Sequence, residues 1–102
     1  MTKVIAEISF IPIGTKLSLS SYIGEALKII EESGLKYEFH SMGTNVEGEW
    51  DDIIKLLEKC HQKLFEIGVL RISTYVKFSL RQDKEPSMES KKEKVMQILQ
   101  KK

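Results

Sequence analysis

Two stretches of strict alternation frame this chain and limit what it can fold into. In residues 4–11, Val4, Ala6, Ile8 and Phe10 fall on one side of an extended backbone, and Ile5, Glu7, Ser9 and Ile11 on the other. Residues 69–80 repeat the pattern: Ile72, Thr74, Val76, Phe78 and Leu80 oppose Arg71, Ser73, Tyr75, Lys77 and Ser79. Between them lie two helical patterns, each closed by a glycine. The first starts within residues 18–21 with Ser20 or Ser21 as its cap, carries Ile23, Leu27 and Ile30 as a stripe beside Ala26, and stops at Ser33-Gly34. The second opens at Trp50-Asp51-Asp52, with acids at its positive end. It continues through Ile53, Leu56, Leu57, Cys60, Leu64 and Ile67 to Gly68. A hairpin joins the two helices. Tyr37, Phe39 and Ser41 alternate with Lys36, Glu38 and His40, Met42-Gly43-Thr44 turns the chain, and residues 45–49 return.

The resulting order, β-α-β-β-α-β, predicts a ferredoxin-like α+β sandwich. Its four-stranded antiparallel sheet runs 4-1-3-2 and carries both helices on one face. With 102 residues the chain is expected to form a single domain: a core over 1–80 and a helical extension over 81–102. Met88, Lys92, Val95, Met96 and Leu99 line one side of that extension. The helix is expected to dock on its own sheet or on a neighbouring subunit. The other sheet face mixes Ile5, Ile11 and Tyr75 with Glu7, Glu38, His40, Glu47, Arg71 and Lys77. It is neither a bare apolar patch nor fully polar, and a homodimer or homotetramer through this face and the C-terminal helix is the expectation.

The formal charge of +1 conceals an asymmetry. Residues 1–80 hold 9 Lys+Arg against 11 Asp+Glu, and residues 81–102 hold 7 against 4, so the body is −2 and the tail +3. Acidic residues interleave with the tail's lysines and no aromatic follows Phe78, which argues against nucleic acid as a partner. No apolar run approaches the ~20 residues of a membrane span and no cationic signal segment starts the chain. The single Cys60 fits a reducing compartment. A cytoplasmic protein with no membrane partner is expected.

Several residues invite chemistry. Cys60 and His61 are adjacent on a helix and point roughly 100° apart, so they form neither a chelating pair nor a nucleophile–base pair. Packing is the reading preferred for both. Glu47 and Glu49 share a strand face and suit acid–base work, or else are edge charges ahead of a helix start. No nucleotide loop, dinucleotide fingerprint, zinc spacing or nucleophile elbow is present. No metal, no cofactor and no catalytic residue is therefore assigned. The Gly14-Thr15 and Gly43-Thr44 pairs are expected to converge at one sheet edge near the start of the first helix. They are either ordinary turn residues or the rim of a site for a small polar molecule or anion.

Taken together, certain phrases resemble one family. They are Ile11-Pro12-Ile13-Gly14-Thr15, Tyr37-Glu38, Met42-Gly43-Thr44, Val46-Glu47-Gly48-Glu49, His61 with Phe65 and Gly68, Arg71-Ile72-Ser73-Thr74, and Arg81-Gln82-Asp83-Lys84 followed by Met88-Glu89. In their order and spacing the chain resembles the small thiamine-binding proteins of the YkoF-like superfamily, from about Val4 to Val95. The resemblance implies a ferredoxin-like fold, assembly through sheet contacts and no catalysis. It also implies binding of thiamine or its hydroxymethylpyrimidine portion as a ligand. Larger relatives carry two such domains, which a single-domain chain would replace by self-association. The chain departs from the pattern at Ser41, where many relatives have proline. For such a ligand, Thr15, Ser20, Thr44 and the backbone of Gly43 are the candidate hydrogen-bonding groups. Met42, Phe39 and Phe10 are the candidate walls, and Glu47 is a candidate for the amino group or the cationic ring. The alternative is a regulatory module of the same fold that senses another small metabolite or an anion.

Overall fold

A computed structural model describes residues 2–16 and 18–101. The elements follow in the order β1 (Lys3–Ile13), α1 (Leu19–Glu32), β2 (Lys36–His40), β3 (Gly43–Glu49), α2 (Trp50–Glu66), β4 (Arg71–Leu80) and α3 (Met88–Gln100). The sheet runs β2-β3-β1-β4 with every neighbouring pair antiparallel, which is the ferredoxin-like arrangement read from the element order. β1 is central. It pairs with β3 from Lys3↔Glu49 to Ile8↔Thr44, and with β4 from Val4↔Leu80 to Ile13↔Arg71. Past Ile8 it is therefore paired on one side, and Pro12 falls in that stretch, where a missing N–H is tolerated.

Alternation decides what is buried. Val4, Ala6, Ile8 and Phe10 of β1 and Val46 of β3 meet Ile53, Leu56, Cys60 and Leu64 of α2. From α1 the buried stripe is Tyr22, Ala26 and Ile30, one position away from the expected Ile23 and Leu27, which are half-buried. One helical position is about 100°, so those two side chains pack at the edge of the core rather than inside it. The cap is Ser18, in extended conformation, rather than Ser20 or Ser21. Its hydroxyl contacts those of Ser20 (3.2 Å) and Ser21 (2.9 Å) instead of a backbone N–H. Gly34 and Gly68 take the left-handed backbone (φ +76° and +103°) after the two helices.

Helix α3 is tied by its first turns to β2 and β3, on the face that α1 and α2 leave open. The Met88 N–H donates to Glu47 Oε1 at 2.8 Å, and the Ser90 N–H to the Ser87 hydroxyl at 3.3 Å. Lys36 reaches Glu89 (2.7 Å) and Lys92 pairs with Glu38, so both ends of two ion pairs join β2 to the first turns of α3. Met88 itself is buried. Farther along, Val95, Met96, Ile98 and Leu99 stay exposed. The open face thus meets only the first turns of α3, at its β2–β3 end, and Ile11, Ile13 and Tyr75 remain exposed at the other.

Glu47 is only 8% exposed and holds both the Met88 N–H and, at 3.6 Å, the Lys3 ammonium. Replacing it by alanine leaves a buried donor without an acceptor, a loss of about 1–3 kcal/mol. The expected result for Glu47→Ala is faster trypsin cleavage within residues 91–94 and lower helical ellipticity. Unchanged cleavage would show that the cap does not hold α3.

Candidate functional site

A concavity opens between α1 and the β2–β3 hairpin, with β1 as its floor. It encloses ≈ 450 Å³. Ile8 and Phe10 come from β1, Ile23 and Leu27 from α1, and Phe39 and Thr44 from the hairpin. The half-buried α1 positions are what give it depth: the rotation of α1 that takes Ile23 and Leu27 off the core turns them into a wall. Around the mouth stand three large apolar side chains in solvent, Leu19, Phe39 (55% exposed) and Met42 (80%). Apolar groups clustered at a rim, rather than scattered, mark a surface meant to be covered.

Polar groups are few and placed. Thr44 is 6% exposed, lines the cavity, and its hydroxyl has no hydrogen-bond partner among the described residues. Ser20 joins from the first turn of α1. No Lys, Arg, Asp or Glu is among the lining residues. Gly43 is where the hairpin comes closest to β1: a Cβ there would lie 2.7 Å from the Ile8 carbonyl oxygen. Glycine is what lets the turn press against the floor and bring Thr44 into place opposite Ile8.

His40 fixes the turn. The Met42 N–H donates to its Nδ1 at 3.3 Å, so Nδ1 is the bare nitrogen and the proton sits on Nε2. Nε2 faces Asn45 Oδ1 at 3.1 Å and the Glu7 carboxylate at 3.7 Å. His61 is a packing residue between α2 and β4. Its Nδ1 must donate to the Leu57 carbonyl (2.7 Å), which leaves Nε2 to accept from the Thr74 hydroxyl (2.5 Å), and its ring meets Phe10 edge-on. Cys60 is fully buried, and that burial pushes its thiol up to about 12, far from the range of a nucleophile. Its Sγ faces the Ala26 carbonyl at 3.8 Å. Among the described residues no group of three or more His, Cys, Asp and Glu side chains is arranged to hold a metal ion.

Of the residues singled out in the sequence, Ser20, Phe39, Met42, Gly43 and Thr44 come together here with Phe10. Thr15 and Glu47 do not. The β1–β3 pairing ends at Ile8↔Thr44, and β1 runs on to Ile13 against β4 alone, so Gly14-Thr15 is carried past the hairpin instead of converging with Gly43-Thr44. Glu47 follows Val46, a core residue, and the pleat sends it to the opposite sheet face, where it caps α3. This corrects its placement beside the ligand walls and removes it, with Glu49, from any acid–base pair facing the cavity. Among the described residues Glu49 Oε2 is buried without a hydrogen-bond partner, at the entrance to α2, whose positive end favours a carboxylate. Leu19, Ile23 and Leu27 are wall residues that sequence periodicity assigned to the core or passed over.

Known proteins share this architecture. A UPF0045 protein of Bacillus subtilis is 37% identical over 101 residues, covering 94% of this chain and 97% of the relative. A UPF0045 protein of Synechocystis is 33% identical over 88 residues, 86% of this chain and 73% of the relative. The crystal structure of a Methanocaldococcus jannaschii UPF0045 protein superimposes with a TM-score of 0.84 at 36% identity, over 93% of this chain and 97% of that one. A Thermotoga maritima protein, provisionally assigned to thiamine biosynthesis or salvage, gives 0.80 at 25% identity, over 91% and 98%. Residues 6–96 match the sequence model described as thiamine-binding protein, and the chain belongs to that family.

Proposed function

We propose that this protein binds thiamine or its hydroxymethylpyrimidine portion, without catalysis, in the cavity between α1 and the β2–β3 hairpin. The observation that carries the reading is a cavity with largely apolar walls into which the Thr44 hydroxyl opens, without a hydrogen-bond partner among the described residues. An aminopyrimidine is a flat ring with a few directed polar groups, and it needs an apolar slot holding a small number of donors and acceptors. Phe10, Phe39, Ile23 and Leu27 supply the slot, and Thr44, Ser20 and the backbone at Gly43 supply the directed bonds. Small-ligand sites span about 300–1,000 Å³, and ≈ 450 Å³ falls within that span. Membership of the family and the Thermotoga maritima relative support the same ligand class. The reading of the cavity as an anion sensor is disfavoured, because no cationic side chain lines it.

The working form in this reading is a cytoplasmic homo-oligomer. The uncovered end of the open sheet face (Ile11, Ile13, Tyr75) and the exposed stripe of α3 (Val95, Met96, Ile98, Leu99) are the contacts proposed for a second copy. Calorimetric titration with thiamine, thiamine phosphate and free hydroxymethylpyrimidine, on protein whose mass is measured by light scattering, tests both parts. Saturable binding of thiamine or the free pyrimidine to a dimer or tetramer is the expected result. Absence of heat and of thermal stabilisation with all three compounds would overturn the ligand, and a monomer at micromolar concentration would overturn the assembly.

A further inference from the structure

At the opposite end of β1 lies a second concavity of a different chemistry. It encloses ≈ 330 Å³ and is lined by Thr2, Lys3, Arg81, Gln82, Lys84 and Glu85, with Pro86. Lys3 and Phe10 are seven residues apart on one extended strand, about 24 Å, so one small molecule does not reach both cavities. Three of the lining side chains are cations, and a fourth cation, Lys94 of α3, stands beside Lys84 at the edge of the pocket. Neither Lys84 nor Lys94 forms an ion pair with a carboxylate among the described residues.

The acids nearby are already engaged. Asp83 clamps Arg81 through Nε (2.8 Å) and Nη2 (2.5 Å), Glu85 reaches Lys3 at 3.8 Å, and Glu47 is shared between Lys3 and the Met88 N–H. Crowding by Lys94 first and Arg81 second pulls the Lys84 ammonium below its ordinary pKa. Two like charges held side by side repel, and an anion placed between them turns that repulsion into attraction. The tail's excess of +3 is therefore not spread evenly over a solvated helix. Part of it converges here, where β1 begins and the 81–86 segment turns.

We propose that this pocket binds a compact multivalent anion of the phosphate class, held by Lys84 and Lys94 with Lys3 and Arg81 flanking and with Thr2 and Gln82 as neutral hydrogen-bond groups. The proposal is independent of the ligand assigned to the other cavity. An anion here neutralises Lys84 and Lys94 and links the 81–86 segment to α3. A bound anion is thus expected to tighten the docking of the C-terminal helix. Interleaved Glu89 and Glu93 and the absence of aromatics disfavour a nucleic-acid chain as its source.

The test is thermal-shift and calorimetric titration of the full chain with inorganic phosphate, pyrophosphate and glycerol phosphate, against sodium chloride at matched ionic strength. The comparison protein is Lys84→Gln/Lys94→Gln. Saturable binding with Kd near or below about 1 mM, at least tenfold weaker in the double variant, is the expected result. Preference for glycerol phosphate over the inorganic anions would assign the site to a phosphate ester, and the reverse order to free phosphate or pyrophosphate. Binding of hydroxymethylpyrimidine is expected to be the same in both proteins, which separates failure of this site from failure of the cavity. No saturation by about 10 mM anion, equal affinity in the double variant, or an equal response to chloride would overturn the proposal.

Discussion

Gly43→Ala is expected to lower the stability of this protein by about 3 kcal/mol, roughly a 15 °C fall in melting temperature for a domain of this size. The methyl group would stand 2.7 Å from the Ile8 carbonyl oxygen, which belongs to the backbone of the central strand. A flexible side chain can swing away from such an overlap, and a strand paired on both sides cannot. Gly24 is the control. A Cβ there meets nothing within 4 Å, and the residue lies inside α1. Gly24→Ala is therefore expected to raise stability by about 0.5–1 kcal/mol, through helix propensity alone. Urea denaturation of the two variants checks the pair. A Gly43→Ala protein within a few degrees of the parent would mean that the hairpin does not press on β1 as described.

Thr44→Val is expected to separate stability from function. Valine keeps the shape of threonine and removes the hydroxyl. That hydroxyl has no hydrogen-bond partner among the described residues and opens into the cavity, so its loss is expected to change the stability of the unliganded chain by no more than about 0.5 kcal/mol. If Thr44 bonds the pyrimidine, the same substitution strips a ligand group of its partner in an apolar site. Affinity should then fall about tenfold, equivalent to roughly 1.4 kcal/mol. An equally heat-stable protein that binds its ligand less well is the signature of a residue retained for function rather than for folding. Thermal melts and titrations on the same preparation decide it. Equal affinity in the two proteins would remove Thr44 from the site.

The sheet was legible because alternation carries a direction. Val4, Ala6, Ile8 and Phe10 could only share a face, and the strand order followed from two βα units separated by a hairpin. The same rule already placed Glu47 opposite Val46, and applying it strictly would have kept Glu47 out of the cavity. Helix α1 was harder to read. Tyr22, Ile23, Ala26, Leu27 and Ile30 make a broad stripe, and no propensity says which edge of it faces the core and which faces a cavity. That choice is made by the tilt of α1 against β1. It decides whether Ile23 and Leu27 are core or wall. The convergence expected of the two Gly-Thr pairs failed for a related reason: β1 continues five residues past its last partner on β3. Pro12 and Gly14 mark where β1 ends, at Ile13, but nothing local reports that its pairing with β3 stops at Ile8. The pairing of Lys84 with Lys94 was likewise hidden, since it depends on where α3 lies after the turn at 81–86.

The two ends of β1 thus present opposite chemistries, a largely apolar slot with the Thr44 hydroxyl in its wall and a pocket lined by Lys3, Arg81 and Lys84. The most direct test of the first as the ligand site is an amide NMR titration of the full chain with hydroxymethylpyrimidine. The largest shifts are predicted at Ile23, Leu27, Gly43 and Thr44, with Tyr75, Lys77 and Lys84 unmoved. Saturable shifts confined to the open sheet face or to residues 81–94, with Gly43 and Thr44 unchanged, would contradict it.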